Sequence, residues 1–239
     1  MKLYDNIISD TMNALATGSE SIKQYSYTGS FWKDNGSSEF IMQRDAAKEL
    51  GSEGNPSLNY TLVTTSGIVT EDEVLVYGSD ISEIKGSCGF ARIVILETED
   101  LQEDKDTEKA FASIRNLEFV RYHVFPKGYM VRVSASSNQE QIRISQGALA
   151  GGISFAKVGS LYIKKYKELP EVKHVRVIFI TDKEMVKSLV PNAEKASTIT
   201  KTLTHILDGM PTDCGHCSMK AVCDEVDGMK ELHLGKKNK

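Results

Sequence analysis

The sequence predicts an α+β fold, with a mixed sheet and flanking helices, followed by a small cysteine-rich metal-binding tail. Short β-branched runs and segments with helical spacing both occur, but they do not follow a strict β-α-β alternation. The breakers Gly209 and Pro211 separate the last helical pattern from a cluster of cysteines. The core is therefore expected to end before the cysteines begin.

In the first half of the chain, residues 2–17 carry apolar side chains at helical spacing, which predicts a helix. Residues 26–57 are rich in Gly, Ser and Asn and contain Trp32, so they are predicted to be mostly irregular, with a short helix near 43–50. Three short β-branched runs follow, and each is bounded by turn-forming residues. They predict strands at 58–64, 74–77 and 90–97.

Seven carboxylates against one lysine, Lys105, lie from Glu97 to Glu108. Acidic side chains can bind a hard cation such as Ca²⁺, but here they show no regular ligand spacing. A solvated loop is therefore the favoured interpretation.

The second half repeats the same two patterns. Helical spacing predicts helices from Ala110 to Val120 and over 160–169, and β-type runs predict strands at 129–134, 141–145 and 174–180. Thr181 and Glu184 match a capping box, so a helix should begin there and run to about Val190, before Pro191. A last helix is expected over 192–207. These patterns divide the chain into an N-terminal helix with an irregular lead-in at 1–45, an α+β domain at 46–190, and a helix with a cysteine-rich segment at 191–239.

Composition restricts the class of protein. Of the 239 residues, 40% are hydrophobic and 26% are charged, as in folded soluble proteins. The net charge of -4 argues against nucleic acid as a partner. No apolar run approaches the length of a membrane span, and the start lacks a signal-peptide core, so a cytoplasmic protein without a membrane partner is expected. In that compartment a cysteine cluster indicates metal or redox chemistry more than disulfides.

The cysteine cluster has the spacing of a metal site. Cys214 and Cys217 form a C-x-x-C pair, and Cys223 follows after five residues. Thiolates at this spacing can bind one soft cation together. Three thiolates and an imidazole suit Zn²⁺, and three thiolates with an unusual fourth position suit an iron–sulfur cluster.

A fourth ligand is needed to close a tetrahedral site. We favour His233, because the ten residues after Cys223 are ample for the chain to fold back. The other candidates are His216, Cys88, Asp213, Asp224 and Glu225. The alternative is a tail of reduced cysteines without metal.

Two further features allow a functional or a purely structural interpretation. Cys88 beside a predicted strand is expected to be a buried apolar side chain. A basic and aromatic stretch has the residue types that bind phosphates, but it is equally consistent with ordinary surface charge. It comprises Arg115, Arg121, Tyr122, His123, Lys127, Tyr129, Arg132 and Arg143. No P-loop, G-x-G-x-x-G, H-E-x-x-H or G-x-S-x-G pattern occurs.

The order of segments from about 46 to 190 resembles the central domain of acetyl-CoA synthase, the acetyl-forming subunit of the carbon monoxide dehydrogenase/acetyl-CoA synthase complex. The stretch around Gly78, Ser79 and Asp80 is similar to the family's glycine–proline–aspartate stretch, and the strand ending in Phe179-Ile180-Thr181-Asp182 is similar to the family's strand ending in Phe-Thr-Asp. The segments that carry the resemblance are 49–56, 77–84, 138–145, 155–167 and 175–182.

The resemblance extends to the cysteines. Cys214, Cys217 and Cys223 match the first three cysteines of the family's nickel–iron–sulfur centre, and His233 stands at the position of the fourth. This favours an iron–sulfur cluster of the 4Fe-4S type, with zinc as the alternative.

The resemblance implies acetyl-CoA synthase activity, an acyl transfer with a CO-derived carbon. The family's later Cys-Gly-Cys nickel ligands have no counterpart, so no nickel, no catalytic residue and no independent synthesis are expected. An accessory or electron-transferring role in one-carbon metabolism follows. The implied partners are carbon monoxide dehydrogenase and corrinoid protein subunits.

The resemblance also implies coenzyme A binding. In the family, arginines and a tryptophan of the central domain meet this ligand, and Arg143 is the arginine that this chain retains. Gln141 and Ser137 stand nearest the family's tryptophan and a preceding arginine.

Overall fold

The computed structural model describes residues 3–17, 22–29, 31–52, 54–100, 107–133 and 139–207. It confirms the predicted α+β class with a mixed sheet and flanking helices. The cysteine-rich tail lies outside the described residues. None of the helices in the described part has the length and apolar character needed to cross a bilayer.

Within the described residues the strands are β1 (Ile22–Ser26), β2 (Ala46–Leu50), β3 (Ser57–Thr64), β4 (Glu73–Tyr77), β5 (Phe90–Thr98), β6 (Tyr129–Val133), β7 (Glu140–Ser145) and β8 (Val172–Ile180). They form two sheets, one with the order β1-β4-β8-β5-β3 and one with the order β2-β7-β6.

The five-stranded sheet is the core of the protein. Its central strand β8 pairs in parallel with β4 and antiparallel with β5, and β3 pairs in parallel with β5. Every residue of β3, β4 and β5 is buried. Because consecutive side chains of a strand point to opposite faces, both faces of this part of the sheet are covered.

The helices provide that cover. In the part of the chain that the structure describes, the α-helices are α1 (Asp5–Ala16), α2 (Thr107–Phe119), α3 (Gln146–Ala150), α4 (Phe155–Tyr166), α5 (Lys183–Ser188) and α6 (Val190–Leu207). Helix α4 packs on β4 and β8, and α1, α2 and α6 pack on β3.

Helix α4 lies unusually close to the sheet. A Cβ on Gly159 would come within 2.6 Å of a methyl group of Val74, so only glycine allows this approach. In the same layer the rings of Phe155 and Phe179 stack with centroids 4.7 Å apart, and Phe90 lies 6.1 Å from Phe155. These contacts fix α4 over the middle of the sheet.

A buried ion pair joins the two sheets. Arg92 on β5 donates from Nε to Glu140 Oε1 of β7 at 2.9 Å and from Nη2 to Oε2 at 2.5 Å. The two side chains are 1% and 0% exposed, and the guanidinium lies 4.5 Å from the ring centroid of Tyr162. Burial alone would lower the pKa of Arg92, but Glu140 and the neighbouring tyrosines raise that pKa well above its ordinary value. Arg92 therefore stays charged.

Several local predictions were wrong, and tertiary contacts explain why. The short helix predicted near 43–50 is a 3-10 turn, Gln43–Asp45, followed by strand β2, which pairs antiparallel with β7. The backbone pairing with β7 outweighs the helix-forming Ala and Glu residues. Strand β1, an exposed edge that pairs with β4, was not predicted.

The helix after β8 also begins differently from the prediction. Asp182, not Thr181, caps it by accepting a hydrogen bond from Met185 N at 2.8 Å. Thr181 instead donates to the carbonyl oxygen of Ser79 at 3.0 Å. Pro191 lies in the first turn of α6, where its missing N–H costs nothing.

The acidic run is not solvated throughout. Glu97 is 5% exposed and accepts hydrogen bonds from the backbone N–H groups of Gly67 at 2.8 Å and Val69 at 3.3 Å. These bonds replace the water that its carboxylate would otherwise need. Residues 101–106 of the run lie outside the described part of the chain.

Candidate functional site

The predicted metal ligands Cys214, Cys217, Cys223 and His233 all lie beyond residue 207, outside the described residues. Within the part of the chain that the structure describes, no three His, Cys, Asp or Glu side chains are placed to hold a metal ion.

Cys88 was predicted to be buried; it is half-buried and packs against the hydrophobic core. Burial raises the pKa of its thiol to about 11. The thiol is therefore protonated at neutral pH, which fits an apolar packing role better than that of a metal-binding thiolate.

Arg143, the predicted coenzyme A contact, makes contacts within the protein. It donates from Nε to Glu49 Oε1 at 2.5 Å and from Nη1 to the carbonyl oxygen of Ile41 at 3.2 Å. Its side chain is only 18% exposed and that of Glu49 only 14%. Arg143 thus links β7 to β2 and to the segment before β2.

The structure does not gather the basic and aromatic stretch into one patch. Arg121 hydrogen-bonds Asn59 and lies 3.3 Å from the carboxylate of Glu118. Tyr129 is buried, whereas Lys127 lies at the edge of a cleft that also contains Trp32.

This cleft, hereafter the Trp32 cleft, is the best candidate for a ligand site in the described residues. It has a volume of about 400 Å³, which lies within the range of small-molecule sites. It is lined by Phe31, Trp32, Lys33, Glu39, Lys127, Gly128, Ser145, Gly147 and Ala148.

Three parts of the chain meet at the Trp32 cleft. The irregular segment before β2 runs antiparallel to the turn before β6, with Lys127 N donating to Lys33 O at 2.9 Å and Asn35 N to Phe125 O at 3.1 Å. Gly128 in that turn has φ +74°, and a Cβ there would lie 2.5 Å from the Cβ of Ala148. Only glycine therefore lets the turn reach α3.

The Trp32 ring is held by three contacts. Its Nε1 donates to Lys127 O at 2.9 Å, and the ammonium of Lys157 lies 5.4 Å from the ring centroid. A Cβ on Gly151 would meet the ring edge at 3.3 Å, so the backbone of α3's C-terminal end packs directly against it. A ring fixed in this way can stack on a planar ligand without first losing rotational freedom.

The charges of the cleft favour an anionic ligand. Lys33 and Lys127 are exposed and have no ion pair within the described residues. The one carboxylate, Glu39, already accepts a hydrogen bond from Gly128 N at 2.9 Å. Phe31, 69% exposed, adds apolar surface at the opening. An aromatic wall beside two ammonium groups suits a planar ring that carries phosphate or carboxylate groups.

The signal for this site in the sequence is faint. Trp32 is the only tryptophan and lies in a segment rich in Gly, Ser and Asn, where no apolar pattern predicts burial. A lone tryptophan in such a polar segment could have marked Trp32 as a candidate ligand contact. Its neighbours Lys127 and Ser145 are more than ninety residues away, and spacing along the chain could not have connected them.

Comparison with known protein families gives a match. The family model described as CO dehydrogenase/acetyl-CoA synthase complex beta subunit matches residues 35–186, well over half of the chain. The match covers β2 to β8 and most of the Trp32 cleft, but it begins after Phe31, Trp32 and Lys33. No curated protein matches the sequence.

The match confirms the resemblance drawn from the sequence, since it covers most of the region from 46 to 190. The chain therefore belongs to the family of the CO dehydrogenase/acetyl-CoA synthase complex beta subunit.

Proposed function

We propose that this protein serves CO/acetyl-CoA metabolism as an accessory, electron-transferring member of its family and not as an independent synthase. In this proposal Cys214, Cys217 and Cys223 hold a 4Fe-4S cluster, with His233 as the fourth ligand. The observation that carries the proposal is the family match over residues 35–186, with a C-x-x-C pair and a third cysteine following it.

The donor set fits this cofactor. Three thiolates and one imidazole satisfy the four irons of a cubane cluster, and an imidazole ligand raises the reduction potential relative to four thiolates. When bound, the cluster supplies one-electron transfer. The same four donors also suit Zn²⁺, so a structural zinc site in a non-catalytic binding module is the alternative.

Cys217→Ser is expected to remove most of the iron and sulfide from protein purified without oxygen, because the C-x-x-C pair loses one of its two thiolates. Iron, sulfide, zinc and nickel per chain are measured for the wild type and the variant. Cys88→Ser is the matched control. Cys88 packs against the core, so its loss should leave the metal content unchanged.

The outcomes separate the alternatives. Brown wild-type protein with iron and sulfide supports the cluster. Colourless protein with one zinc per chain overturns the cluster and favours the zinc module, and Cys217→Ser would then weaken the metal-bound tail without altering redox behaviour. Stoichiometric nickel would contradict the accessory role.

The proposed partners are subunits of the complex to which the family belongs, namely carbon monoxide dehydrogenase or a corrinoid protein. The family description supports this, because it places the beta subunit in that complex. Electron transfer needs such a partner to donate or accept the electron.

A second candidate function is coenzyme A binding, and the Trp32 cleft is the observation that favours it. The fixed indole could stack on the adenine ring, and Lys33 and Lys127 lie where phosphates could be neutralised. Arg143 lies two residues before Ser145 on the same strand, but its contacts with Glu49 and Ile41 make it a support for the cleft more than a direct ligand.

Trp32→Ala is expected to weaken coenzyme A binding by about 1–3 kcal/mol, roughly 5- to 150-fold, because one stacking surface is lost. Isothermal calorimetry on the wild type and the variant measures this change. Phe40→Ala is the control, since Phe40 is an aromatic residue of the same segment that is 80% exposed and does not line the cleft. If the wild type gives neither heat nor a thermal shift with coenzyme A, this second function is excluded.

A further inference from the structure

Glu39 is the one carboxylate among the described residues that line the Trp32 cleft, and the backbone fixes its place. Its Oε2 accepts a hydrogen bond from Gly128 N at 2.9 Å, and the carbonyl oxygen of the preceding residue, Lys127, accepts one from Trp32 Nε1 at 2.9 Å. These two bonds use the N–H and the C=O of a single peptide group, which is planar and rigid. The indole and the carboxylate are therefore held on either side of that group, with at most about 8 Å between Trp32 Nε1 and Glu39 Oε2.

The carboxylate of Glu39 keeps hydrogen-bonding capacity for a ligand. An ionised carboxylate accepts at two oxygens and cannot donate. Within the described residues Gly128 N is its one hydrogen-bond partner and it has no ion pair, so Oε1 remains available. A cleft that bound only phosphate groups would gain nothing from this charge, which repels them. Its place beside Trp32 indicates a hydrogen-bond donor on the ring of the ligand.

We propose that Glu39 recognises the exocyclic amino group of an adenine ring that stacks on Trp32. This inference rests on the second candidate function, coenzyme A binding, and adds the residue that selects the base. The amino group donates to Glu39 Oε1, while Lys33 and Lys127 neutralise the phosphates attached to the ribose. One ligand thus uses the aromatic wall, the acceptor and both ammonium groups of the cleft.

Two other purine rings fit the cleft less well. Hypoxanthine has a carbonyl oxygen where adenine has its amino group, and that oxygen and the carboxylate repel each other because both only accept. Guanine presents two neighbouring donors, N1–H and an amino group, which suit a carboxylate with both oxygens free. Gly128 N already engages Oε2 of Glu39. The cleft is therefore expected to prefer adenine nucleotides.

Calorimetry of the full chain with ADP, IDP and GDP tests this inference. The three nucleotides share the ribose and the diphosphate, so differences among them report on the base. The wild type is expected to bind ADP about tenfold or more tightly than IDP, because ADP gains a hydrogen bond to a charged group and IDP does not. Equal affinities for ADP and IDP, or tighter binding of GDP than of ADP, would overturn the inference.

Glu39→Gln tests the residue itself. The amide oxygen can take over the hydrogen bond from Gly128 N, which turns the amide NH₂ toward the base. The variant is therefore expected to lose the preference for ADP or to favour IDP, whose carbonyl oxygen accepts from that NH₂. If Glu39 only supported the turn at Gly128, the ratio of the two affinities would stay at its wild-type value, and the assignment of base recognition would be wrong.

Asp34→Asn is the matched control for Glu39→Gln. Asp34 lies in the same segment and accepts a hydrogen bond from the backbone N–H of Gly36 at 2.9 Å, but it does not line the cleft. The variant loses the same charge, so it corrects for the general effect of charge on an anionic ligand. Its ratio of ADP to IDP affinity should equal that of the wild type.

Coenzyme A, titrated into the same samples, separates this inference from the function on which it rests. If coenzyme A binds while ADP and IDP bind equally, base recognition by Glu39 fails and coenzyme A binding stands. If neither coenzyme A nor ADP binds, both fail. Preference for ADP over IDP without coenzyme A binding would support base recognition and exclude coenzyme A as the ligand.

Discussion

Arg92→Met is expected to lower the free energy of unfolding by about 3–5 kcal/mol, because it leaves the Glu140 carboxylate buried without its partner. The pair is inaccessible to water and is the ionic link between β5 and β7, so solvent cannot replace the lost guanidinium. Urea unfolding followed by circular dichroism measures the change. A loss below about 1 kcal/mol would show that the pair contributes no more than a surface ion pair does.

The double variant Arg92→Met/Glu140→Leu separates the charge from the packing. Removing both charges eliminates the desolvation penalty, so much of the lost stability should return. Recovery in the double variant would assign the loss to the orphaned carboxylate. A double variant as unstable as the single one would instead assign it to the guanidinium's packing on Tyr162.

Phe155→Ala is expected to cost about 3–5 kcal/mol, since a fully buried ring is removed and a cavity remains. Phe155 lies between α4 and the sheet, stacked on Phe179 with centroids 4.7 Å apart. The rigid close packing of α4 at Gly159 leaves little scope for the helix to collapse into the space. Urea unfolding measures this loss on the same scale.

Phe119→Ala is the matched control for Phe155→Ala. Phe119 is also a phenylalanine at the end of a helix, since it is the last residue of α2 and Phe155 is the first of α4. It also has an aromatic neighbour, Tyr122, but its side chain is 50% exposed. Its replacement should change stability by less than about 1 kcal/mol, as is usual for surface positions. Equal effects at the two positions would contradict the core assigned to Phe155.

The elements predicted best from the sequence are those whose side chains carry a strong local pattern. Strands β3, β5 and β8 are runs of β-branched and aromatic residues, and the structure confirms each within two residues of its predicted bounds. The helix around Phe111 and Ile114 was likewise apparent from its spacing. In these segments local preference and tertiary burial favour the same conformation.

Other elements are determined by distant partners. Strand β2 contains Ala and Glu, which favour a helix, and becomes a strand through pairing with residues about a hundred positions later. Thr181 has the sequence of a helix cap but donates instead to Ser79 across the sheet edge. The conformation of such segments depends on residues that are distant in sequence and become neighbours only in the folded protein. Local sequence patterns do not contain that information.

The candidate functional residues also fall into those that local sequence can predict and those that it cannot. Cysteine spacing is a local property, so the metal ligands could be proposed from the sequence alone. The Trp32 cleft depends on contacts between Trp32, Lys127 and Gly151, which come together only in the folded chain. Arg143 was predicted as a coenzyme A contact, and its contacts with Glu49 and Ile41 could not be read from its neighbours in sequence.

The central place of β8 has a consequence for how the protein is made. Strands β4 and β5 leave the ribosome well before β8, the strand that lies between them. At about 5–20 residues per second, several seconds pass in which their apolar edges have no partner. During that time the edges of β4 and β5 that face β8 in the folded protein stay unpaired. An expression product cut short of β8 would keep exposed edges that invite aggregation.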